Sequence, residues 1–204
     1  MGKELNGNIQ AGTAHIEGPV SGRYVTTLTL DDELNNFRTP DKQLDALAGI
    51  ADSVDGLLYI LRSGKTVVGY VSFHAPDPYS RWSQHPKVLE LGAIELSPKF
   101  RGKKLGIKLL QYAFSNPIME ERVAITTEYC WHWDLDNTGL DIWSYQKMLS
   151  RLFGSVGLKY TSTDDPDICE HVANVLMVRY GKNLSSDDVN LFESLLISGT
   201  RQYY

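Results

Sequence analysis

The fold is decided by residues 88–106, which read VLELGAIELSPKFRGKKLG. The first nine of these residues are mostly apolar and predict a β-strand, which Ser97-Pro98 ends. Residues 105–114 continue with an apolar pattern of helical period. The stretch therefore predicts a strand, a basic loop and a helix in direct succession.

The loop between this strand and this helix concentrates positive charge, in a chain whose formal net charge is −5. Its cations are Lys99, Arg101, Lys103 and Lys104. A helix N-terminus already carries partial positive charge and unpaired N–H groups, so cations there are unfavourable unless an anion joins them. Glycines at 102 and 106 let the backbone approach such an anion closely. The loop therefore predicts a phosphate or pyrophosphate site, and the alternative is a solvated basic turn.

The flanking sequence predicts a mixed α/β fold. Upstream we expect a strand at Tyr24–Leu30, a short helix at Glu33–Phe37, a helix from Pro40 and then a hairpin of two strands. Downstream we expect three further strands, one helix among them, and a terminal helix from Ser186 that begins with a serine cap. This order predicts a largely antiparallel sheet.

Length and composition predict one compact folded domain. The 204 residues are 42% hydrophobic and 22% charged, which excludes a disordered chain or a coiled coil. We expect an N-terminal arm at 1–22, the domain at 23–182 and a C-terminal helical extension at 183–204.

The negative net charge argues against nucleic acid and anionic membranes as partners. No apolar run has the length of a membrane span, and the first residues lack a signal-peptide core, so we expect a cytoplasmic protein. The two cysteines are expected to be reduced thiols. The five histidines show no paired ligand spacing, so we expect no metal site.

Residues 101–106, Arg-Gly-Lys-Lys-Leu-Gly, resemble the Gln/Arg-x-x-Gly-x-Gly/Ala signature of the GCN5-related N-acetyltransferases (GNAT). The predicted order of elements resembles that fold too. The resemblance implies a largely antiparallel sheet of six to seven strands, splayed at the acetyl-CoA site, with helices on both faces.

In this family the loop binds the pyrophosphate of acetyl-CoA, and the backbone of the preceding strand pairs with the pantetheine arm. The resemblance therefore implies cofactor contacts at Ile94, Leu96, Arg101, Gly102, Lys103, Lys104, Leu105 and Gly106. Lys104 stands where the signature has glycine. A Cβ at this position is tolerable if the residue is already helical, and the extra cation would offset the lost closeness to the phosphate.

Acetyl transfer to an amine needs a base that takes a proton from the ammonium group. Glu90 lies where the resemblance places the glutamate base of histone-type family members, so it is the first candidate. Glu95 is the second, and strand alternation directs it to the opposite face. The alternative is that Glu90 is an ordinary strand carboxylate or an ion-pair partner.

The helix predicted at 140–153 resembles the family pattern Asn-x-x-Ala-x-x-Leu-Tyr-x-x-x-Gly-Phe, with Phe153 where many members have tyrosine. In those members the tyrosine protonates the departing CoA thiolate, and phenylalanine has no proton to donate. Tyr145 lies two helical turns earlier on roughly the same face, so it is the candidate acid. The alternative is an aromatic side chain that closes the core.

Residues 128–141 combine acidic and aromatic side chains, which suits a lysine substrate. Carboxylates attract the ammonium group, and indole faces hold the alkyl stem. We therefore expect acceptor residues at Glu128, Trp131, His132, Trp133 and Asp134. The alternative is a structural loop whose tryptophans fill the core, and further alternatives are His132 as a base and Cys130 as an acetyl-carrying nucleophile.

Segments spread over about residues 10–185 resemble a narrower group within the family, the acetoin-utilisation acetyltransferases of Bacillus-type bacteria. They include Pro76-Asp77-Pro78-Tyr79, Trp131-His132-Trp133-Asp134-Leu135 and Asp164-Asp165-Pro166. This group is implied to acetylate a lysine of acetyl-CoA synthetase and so to switch that enzyme off.

The resemblance therefore implies a protein lysine N-acetyltransferase of acetoin catabolism that uses acetyl-CoA, with acetyl-CoA synthetase as its partner. One alternative is a small-molecule amine N-acetyltransferase. Another is a CoA-sensing protein that regulates its partner by binding without turnover.

Overall fold

The computed structural model describes residues 14–197 of the chain. Within them are eight strands, β1 Ala14–Glu17, β2 Thr29–Leu30, β3 Leu57–Ser63, β4 Thr66–His74, β5 Val88–Leu96, β6 Val123–Glu128, β7 Lys159–Thr161 and β8 Val175–Tyr180. The same residues form seven α-helices, α1 Gly22–Val25, α2 Pro40–Ala51, α3 Leu105–Phe114, α4 Leu135–Thr138, α5 Ile142–Gly154, α6 Pro166–Cys169 and α7 Ser186–Leu196. No helix among the described residues is long and apolar enough to cross a membrane.

The strands form one sheet in the order β1-β3-β4-β5-β6-β8-β7, and β2 pairs with β4 beside this path. The pairs β1–β3, β6–β8 and β7–β8 are antiparallel. Strands β5 and β6 are parallel, with Val88 opposite Val123 and Glu90 opposite Ile125. The predicted mixed α/β class with a largely antiparallel sheet is confirmed. The described residues form eight strands where six to seven were expected, because β1, which lies in the predicted N-terminal arm, pairs with β3.

The chain divides into two compact units. Of the described residues, the first unit holds 14–72 and 93–113, and the second holds 73–92 and 114–197. Strands β4 and β5 each contribute residues to both units.

Helix α2 packs its apolar stripe into the core of the first unit. Pro40 occupies its first turn, where a missing backbone N–H leaves no intrahelical bond unmade. Leu47 is 1% exposed and packs with Leu58, Ile60 and Tyr70. The helix predicted from Pro40 is therefore confirmed by its position and by its buried face.

Two predictions upstream of α2 are wrong. Of the predicted strand Tyr24–Leu30, only Thr29–Leu30 is a strand, and its first two residues belong to helix α1. This helix forms because the Ser21 side chain caps it and the Gly22 N–H donates to Asp52 Oδ1 at 2.8 Å. The predicted helix Glu33–Phe37 is a turn region. There the Asp31 carboxylate accepts the Glu33 N–H at 3.0 Å, which favours a local turn over a helix.

Apolar side chains anchor the basic loop at both ends. Phe100 before the loop and Leu105 after it pack in one cluster with Leu61 and Val68 of the first unit. Leu105 is only 2% exposed, and full burial of a leucine contributes about 1.5–3 kcal/mol. The loop is thus a short span between two fixed apolar side chains.

Helix α7 belongs to the core of the second unit. Its start is the predicted serine cap, in which Ser185 and Asp188 each accept the other's backbone N–H. Phe192 of this helix is fully buried and stacks on Trp82 with ring centroids 5.6 Å apart. The C-terminal extension therefore packs on the insert that contains Trp82.

Candidate active site

The basic loop has two residues with positive φ, separated by one residue. After a 3₁₀ turn at Pro98–Phe100, Gly102 has φ +75° and Lys104 has φ +59°. Helix α3 begins at the next residue, Leu105, and the Lys104 carbonyl accepts the Lys108 N–H at 3.1 Å. The first N–H groups of such a helix have no intrahelical acceptor and point out of its end. The loop therefore directs backbone donors and lysine side chains to the same end of the helix.

The cations of this loop differ in how far they are already neutralised. Lys99 forms an ion pair with Glu33 at 3.2 Å, and the Lys99 side chain is 74% exposed. The Arg101 Nε donates to the Leu96 carbonyl at 2.9 Å, and Lys103 donates to the Lys99 carbonyl at 3.1 Å. The positive side chains of this loop and the first N–H groups of α3 together suit a diphosphate, although Glu33 offsets the charge of Lys99.

The remaining predicted cofactor residues surround this loop within the first unit. Ile94 and Leu96 are half-buried on β5, and the Leu96 carbonyl receives the Arg101 side chain. Leu105 and Gly106 are buried in the first turn of α3. Gly102 is exposed, with open space where a Cβ would lie, so its positive φ accounts for the glycine.

Glu95 lies in a buried polar network of the first unit. Its carboxylate accepts the Tyr70 hydroxyl at 2.7 Å and the Asn36 N–H at 3.1 Å. Gln43 donates to the Tyr70 oxygen at 3.0 Å. Burial, followed by the Glu95 carboxylate, raises the pKa of Tyr70, so this hydroxyl stays a donor. These contacts support a structural role for Glu95, and its use as the second candidate base stays a prediction.

Glu90 lines a cleft of about 510 Å³ in the second unit. The Thr127 hydroxyl donates to its carboxylate at 2.6 Å and so fixes its orientation. The cleft walls come from the insert after β4, from β5, from the end of β6 with the residue after it, and from the start of α6 with the residue before it. They comprise Asp77, Tyr79, Ser80, Arg81, Trp82, Thr127, Tyr129, Asp165, Pro166 and Asp167.

The cleft is acidic, with four carboxylates and one guanidinium among its lining side chains. Burial raises the pKa of the Tyr129 hydroxyl to about 12, and the carboxylates of Asp165, Asp167 and Glu90 contribute to that rise. Such a field stabilises a cationic amine.

The acceptor surface predicted from residues 128–134 is divided between two faces of β6. Thr127 contacts Glu90, whereas Thr126 and Glu128 contact each other, so alternation places these two pairs on opposite faces. Asp134 is buried and accepts the Asn137 side-chain amide at 2.7 Å. The structure therefore does not bring Glu128 and Glu90 to the same face.

Trp131 and His132 lie beside Tyr129, whose side chain lines the cleft. The rings of Tyr129 and Trp131 stack at 5.1 Å, and Trp131 is 51% exposed. His132 packs edge-on against Tyr129 at 6.0 Å. Their role as acceptor residues stays a prediction that this geometry supports.

Trp133 packs with Tyr145 of α5. The two rings stack at 5.3 Å, and the Tyr145 oxygen accepts the Asp134 N–H at 3.4 Å. Phe153 on the same helix is fully buried. Tyr145 as the proton donor to the thiolate stays a prediction.

The Glu128 carboxyl group is buried, and its pKa is strongly perturbed. Burial raises its pKa to about 7, and the nearby Glu90 carboxylate adds to the rise. The Thr126 hydroxyl, which donates at 2.7 Å, opposes the rise. The nearby Trp133 indole N–H also lowers the pKa of Glu128. Among the described residues, however, this buried N–H has no acceptor in hydrogen-bond geometry.

The match to known proteins covers nearly the whole chain. Residues 25–137 match the Acetyltransferase (GNAT) family. A protein from Bacillus licheniformis named acetoin utilization protein AcuA is 43% identical over 195 residues, which are 95% of this chain and 92% of that protein. A protein of the same name from Bacillus subtilis is 41% identical, with 90% and 89% covered. The chain belongs to the GNAT acetyltransferase family.

Solved structures agree with this GNAT assignment. The crystal structure of an acetoin utilization protein from Exiguobacterium sibiricum is 42% identical, has a TM-score of 0.90 and covers 94% of this chain and 92% of its own. YncA of Salmonella typhimurium, solved with its cofactor acetyl-CoA, is 16% identical with a TM-score of 0.55, covers 85% of this chain and 96% of its own, and shows the shared fold. The predicted GNAT fold is confirmed, and the chain is an acetyl-CoA-dependent acetyltransferase.

Lys104 departs from the expectation drawn from the GNAT signature. The condition for tolerating its Cβ was a helical conformation, but Lys104 precedes α3 and adopts the left-handed conformation, with φ +59°. Its Cβ therefore meets the clash that glycine avoids, at a cost of about 1–2 kcal/mol. A lysine in this strained position keeps an exposed ammonium group at the start of α3.

Lys104→Gly is expected to raise the free energy of unfolding by about 0.5–1 kcal/mol, because relief of strain exceeds the added entropy of the unfolded chain. Lys108→Gly is the matched control in the first turn of α3, and it is expected to lower stability by about 1 kcal/mol. Urea unfolding measures both. Equal destabilisation by the two variants would contradict the assignment of backbone strain to Lys104.

Glu128→Gln is expected to change stability in a pH-dependent way. The folded protein holds the Glu128 proton up to about pH 7, while the unfolded chain releases it near the ordinary glutamate pKa of 4.5. Wild-type stability therefore falls between these two values as pH rises. Glutamine keeps an acceptor for Thr126 without the buried charge. We expect the variant to be more stable than wild type by about 2 kcal/mol at pH 8 and nearly equal to it at pH 4.

Urea unfolding at the two pH values checks this result, with the exposed Glu170→Gln as control. A stability difference between Glu128→Gln and wild type that stays constant with pH would contradict the raised pKa.

The prediction missed four charged residues of the cleft, Asp77, Arg81, Asp165 and Asp167. Two of them belong to proline-containing segments, Pro76-Asp77-Pro78 and Asp164-Asp165-Pro166, that carried the resemblance. Proline and aspartate in short succession indicate turns with fixed side chains. That signal predicts an ordered loop, but it does not predict which loops lie next to each other in the fold.

Proposed function

We propose that the chain is a protein lysine N-acetyltransferase that acetylates acetyl-CoA synthetase, lowers its activity and acts in acetoin and acetate metabolism. The name of the relatives from Bacillus licheniformis and Bacillus subtilis, acetoin utilization protein AcuA, supports the metabolic setting. The observation that carries the proposal is the acidic cleft in which Thr127 orients Glu90.

The cleft suits a lysine side chain in charge and in shape. Its carboxylates attract the ammonium group, and the rings of Tyr79 and Tyr129 offer faces to the alkyl stem. Tyr79 is 99% exposed and Trp131 is 51% exposed, so aromatic surface continues outside the cleft. Exposed aromatic side chains beside a reactive site support a macromolecular substrate.

Bound acetyl-CoA supplies the acetyl group as a thioester. Residues 101–106 hold its diphosphate through the lysine and arginine charges and the first amides of α3. The backbone at Ile94 and Leu96 pairs with the pantetheine arm, and the Ile94 N–H polarises the thioester carbonyl. The domain that does this is 23–182.

Glu90 takes a proton from the lysine ammonium, directly or through one water, and so makes the amine a nucleophile. The Thr127 hydroxyl holds the carboxylate in place during that transfer. Tyr145 is the candidate donor of a proton to the leaving thiolate.

Incubation of the purified protein with acetyl-CoA and purified acetyl-CoA synthetase tests the substrate. We expect mass spectrometry to find new acetyl-lysine on the synthetase and assays to show loss of its activity. Loss of synthetase activity without acetyl-lysine would support regulation by binding. CoA release with a free diamine, but not with the synthetase, would support a small-amine substrate, and either result would contradict the proposal.

A further inference from the structure

Arg81 joins three segments of the second unit. It lies in the 3₁₀ turn Arg81–Gln84 of the insert, and its side chain is 17% exposed. Its Nη1 pairs with the Asp164 carboxylate and also donates to the Leu195 carbonyl at 3.2 Å. Its Nε pairs with Asp165 at 3.2 Å. One guanidinium thus connects the insert, the segment before α6 and the last turn of α7.

The C-terminal end of α7 is bonded to the same segment by two further contacts. The Thr163 hydroxyl donates to the Leu196 carbonyl at 2.7 Å, and the Asp164 N–H donates to the same oxygen at 3.1 Å. The last carbonyls of a helix have no intrahelical donor, so these contacts and the Arg81 contact satisfy them. They also place positive and N–H groups at the negative end of the helix dipole.

This connection sets the position of two walls of the cleft. Arg81 and Asp165 both line it, from segments more than 80 residues apart in the chain. The Arg81 charge is matched by Asp164 and Asp165, so the carboxylates of Asp77, Asp167 and Glu90 lie outside this ion pair. A planar guanidinium that contacts several groups at fixed angles holds such walls more rigidly than a single ion pair.

We propose that Arg81 is a positioning residue for the acceptor, and that through it helix α7 takes part in acceptor binding. The inference rests on the proposed function. Arg81 holds the insert against residues 163–165 and the end of α7, and thereby sets the spacing into which the lysine enters. The cofactor loop belongs to the first unit, whereas Arg81, Asp164, Asp165 and Leu195 all belong to the second.

The test compares Arg81→Met with the matched control Arg151→Met, an exposed position on α5. Steady-state kinetics use acetyl-CoA and purified acetyl-CoA synthetase as the two substrates. For Arg81→Met we expect the KM for the synthetase to rise about tenfold, with the KM for acetyl-CoA and kcat within about twofold of wild type. Arg81→Lys keeps the positive charge but not the several fixed N–H donors of the guanidinium, so we expect the KM for the synthetase to recover only in part.

Thermal unfolding shows whether each variant is folded. Should Arg81→Met fail to fold, Asp164→Asn removes one ion pair from the same clamp and is expected to raise the KM for the synthetase about threefold. An unchanged synthetase KM in a folded variant, or an equal change in both KM values, would overturn the inference alone. Absence of turnover by the wild type would overturn the proposed function, and the inference with it.

Discussion

Glu90→Gln is expected to lower kcat for acetyl transfer by about 10²–10⁴-fold, the usual contribution of a positioned base. Glutamine has the size of glutamate and retains an oxygen that accepts the Thr127 hydroxyl, so the cleft keeps its geometry. The variant loses only the ability to take a proton from the substrate ammonium. CoA release measured at saturating concentrations of both substrates gives the change in kcat.

The control for this variant is Glu121→Gln, which removes an exposed carboxylate that does not line the cleft. It is expected to leave kcat unchanged. Equal kcat in Glu90→Gln and wild type would show that another group or water takes the proton. If Glu90→Gln abolished acetylation but still inhibited acetyl-CoA synthetase, binding without turnover would be the preferred account of regulation.

The double variant Arg101→Ala with Lys104→Ala is expected to weaken acetyl-CoA binding by about 1–3 kcal/mol, the scale of charge-assisted contacts to an anion. Both cations lie beside the first turn of α3, where the diphosphate is proposed to bind. Calorimetric titration of the folded protein with acetyl-CoA measures the change. An unchanged affinity would refute the assignment of the loop.

Lys99→Ala provides a control within the same loop. Lys99 already forms an ion pair with Glu33, so its removal is expected to change the affinity by less than about 0.5 kcal/mol. Arg101 also donates a hydrogen bond to the Leu96 carbonyl. The single variants Arg101→Ala and Lys104→Ala therefore separate the affinity lost with a charge from the affinity lost with this hydrogen bond. A single variant Lys104→Ala that accounts for most of the lost affinity would place the main charge contact at Lys104.

Elements with strong local signals could be predicted from the sequence. Strand β5 and helix α3 were predicted with the bounds that they have, because Ser97-Pro98 ends one and the basic loop precedes the other. Helix α1 could not be predicted in this way. It depends on Asp52, which lies 30 positions away from the Gly22 N–H that it accepts.

The candidate site was predictable only in part. Glu90 and the basic loop belong to one continuous stretch of sequence, so both could be predicted from local patterns. The partners of Glu90 in the cleft come from segments near residues 77, 127 and 165, which the fold brings together. Strand alternation does separate Glu128 from Thr127, so the division of the predicted acceptor surface was within reach of the sequence.

The Arg81 contacts have a consequence for protein engineering. The insert 75–86, the segment 163–165 and the last turn of α7 share one guanidinium and two helix carbonyls. A chimaera that imports a foreign insert alone would remove the Arg81 donor from Asp164, Asp165 and the Leu195 carbonyl. Exchange of substrate preference between related enzymes should therefore transplant the three segments as one module.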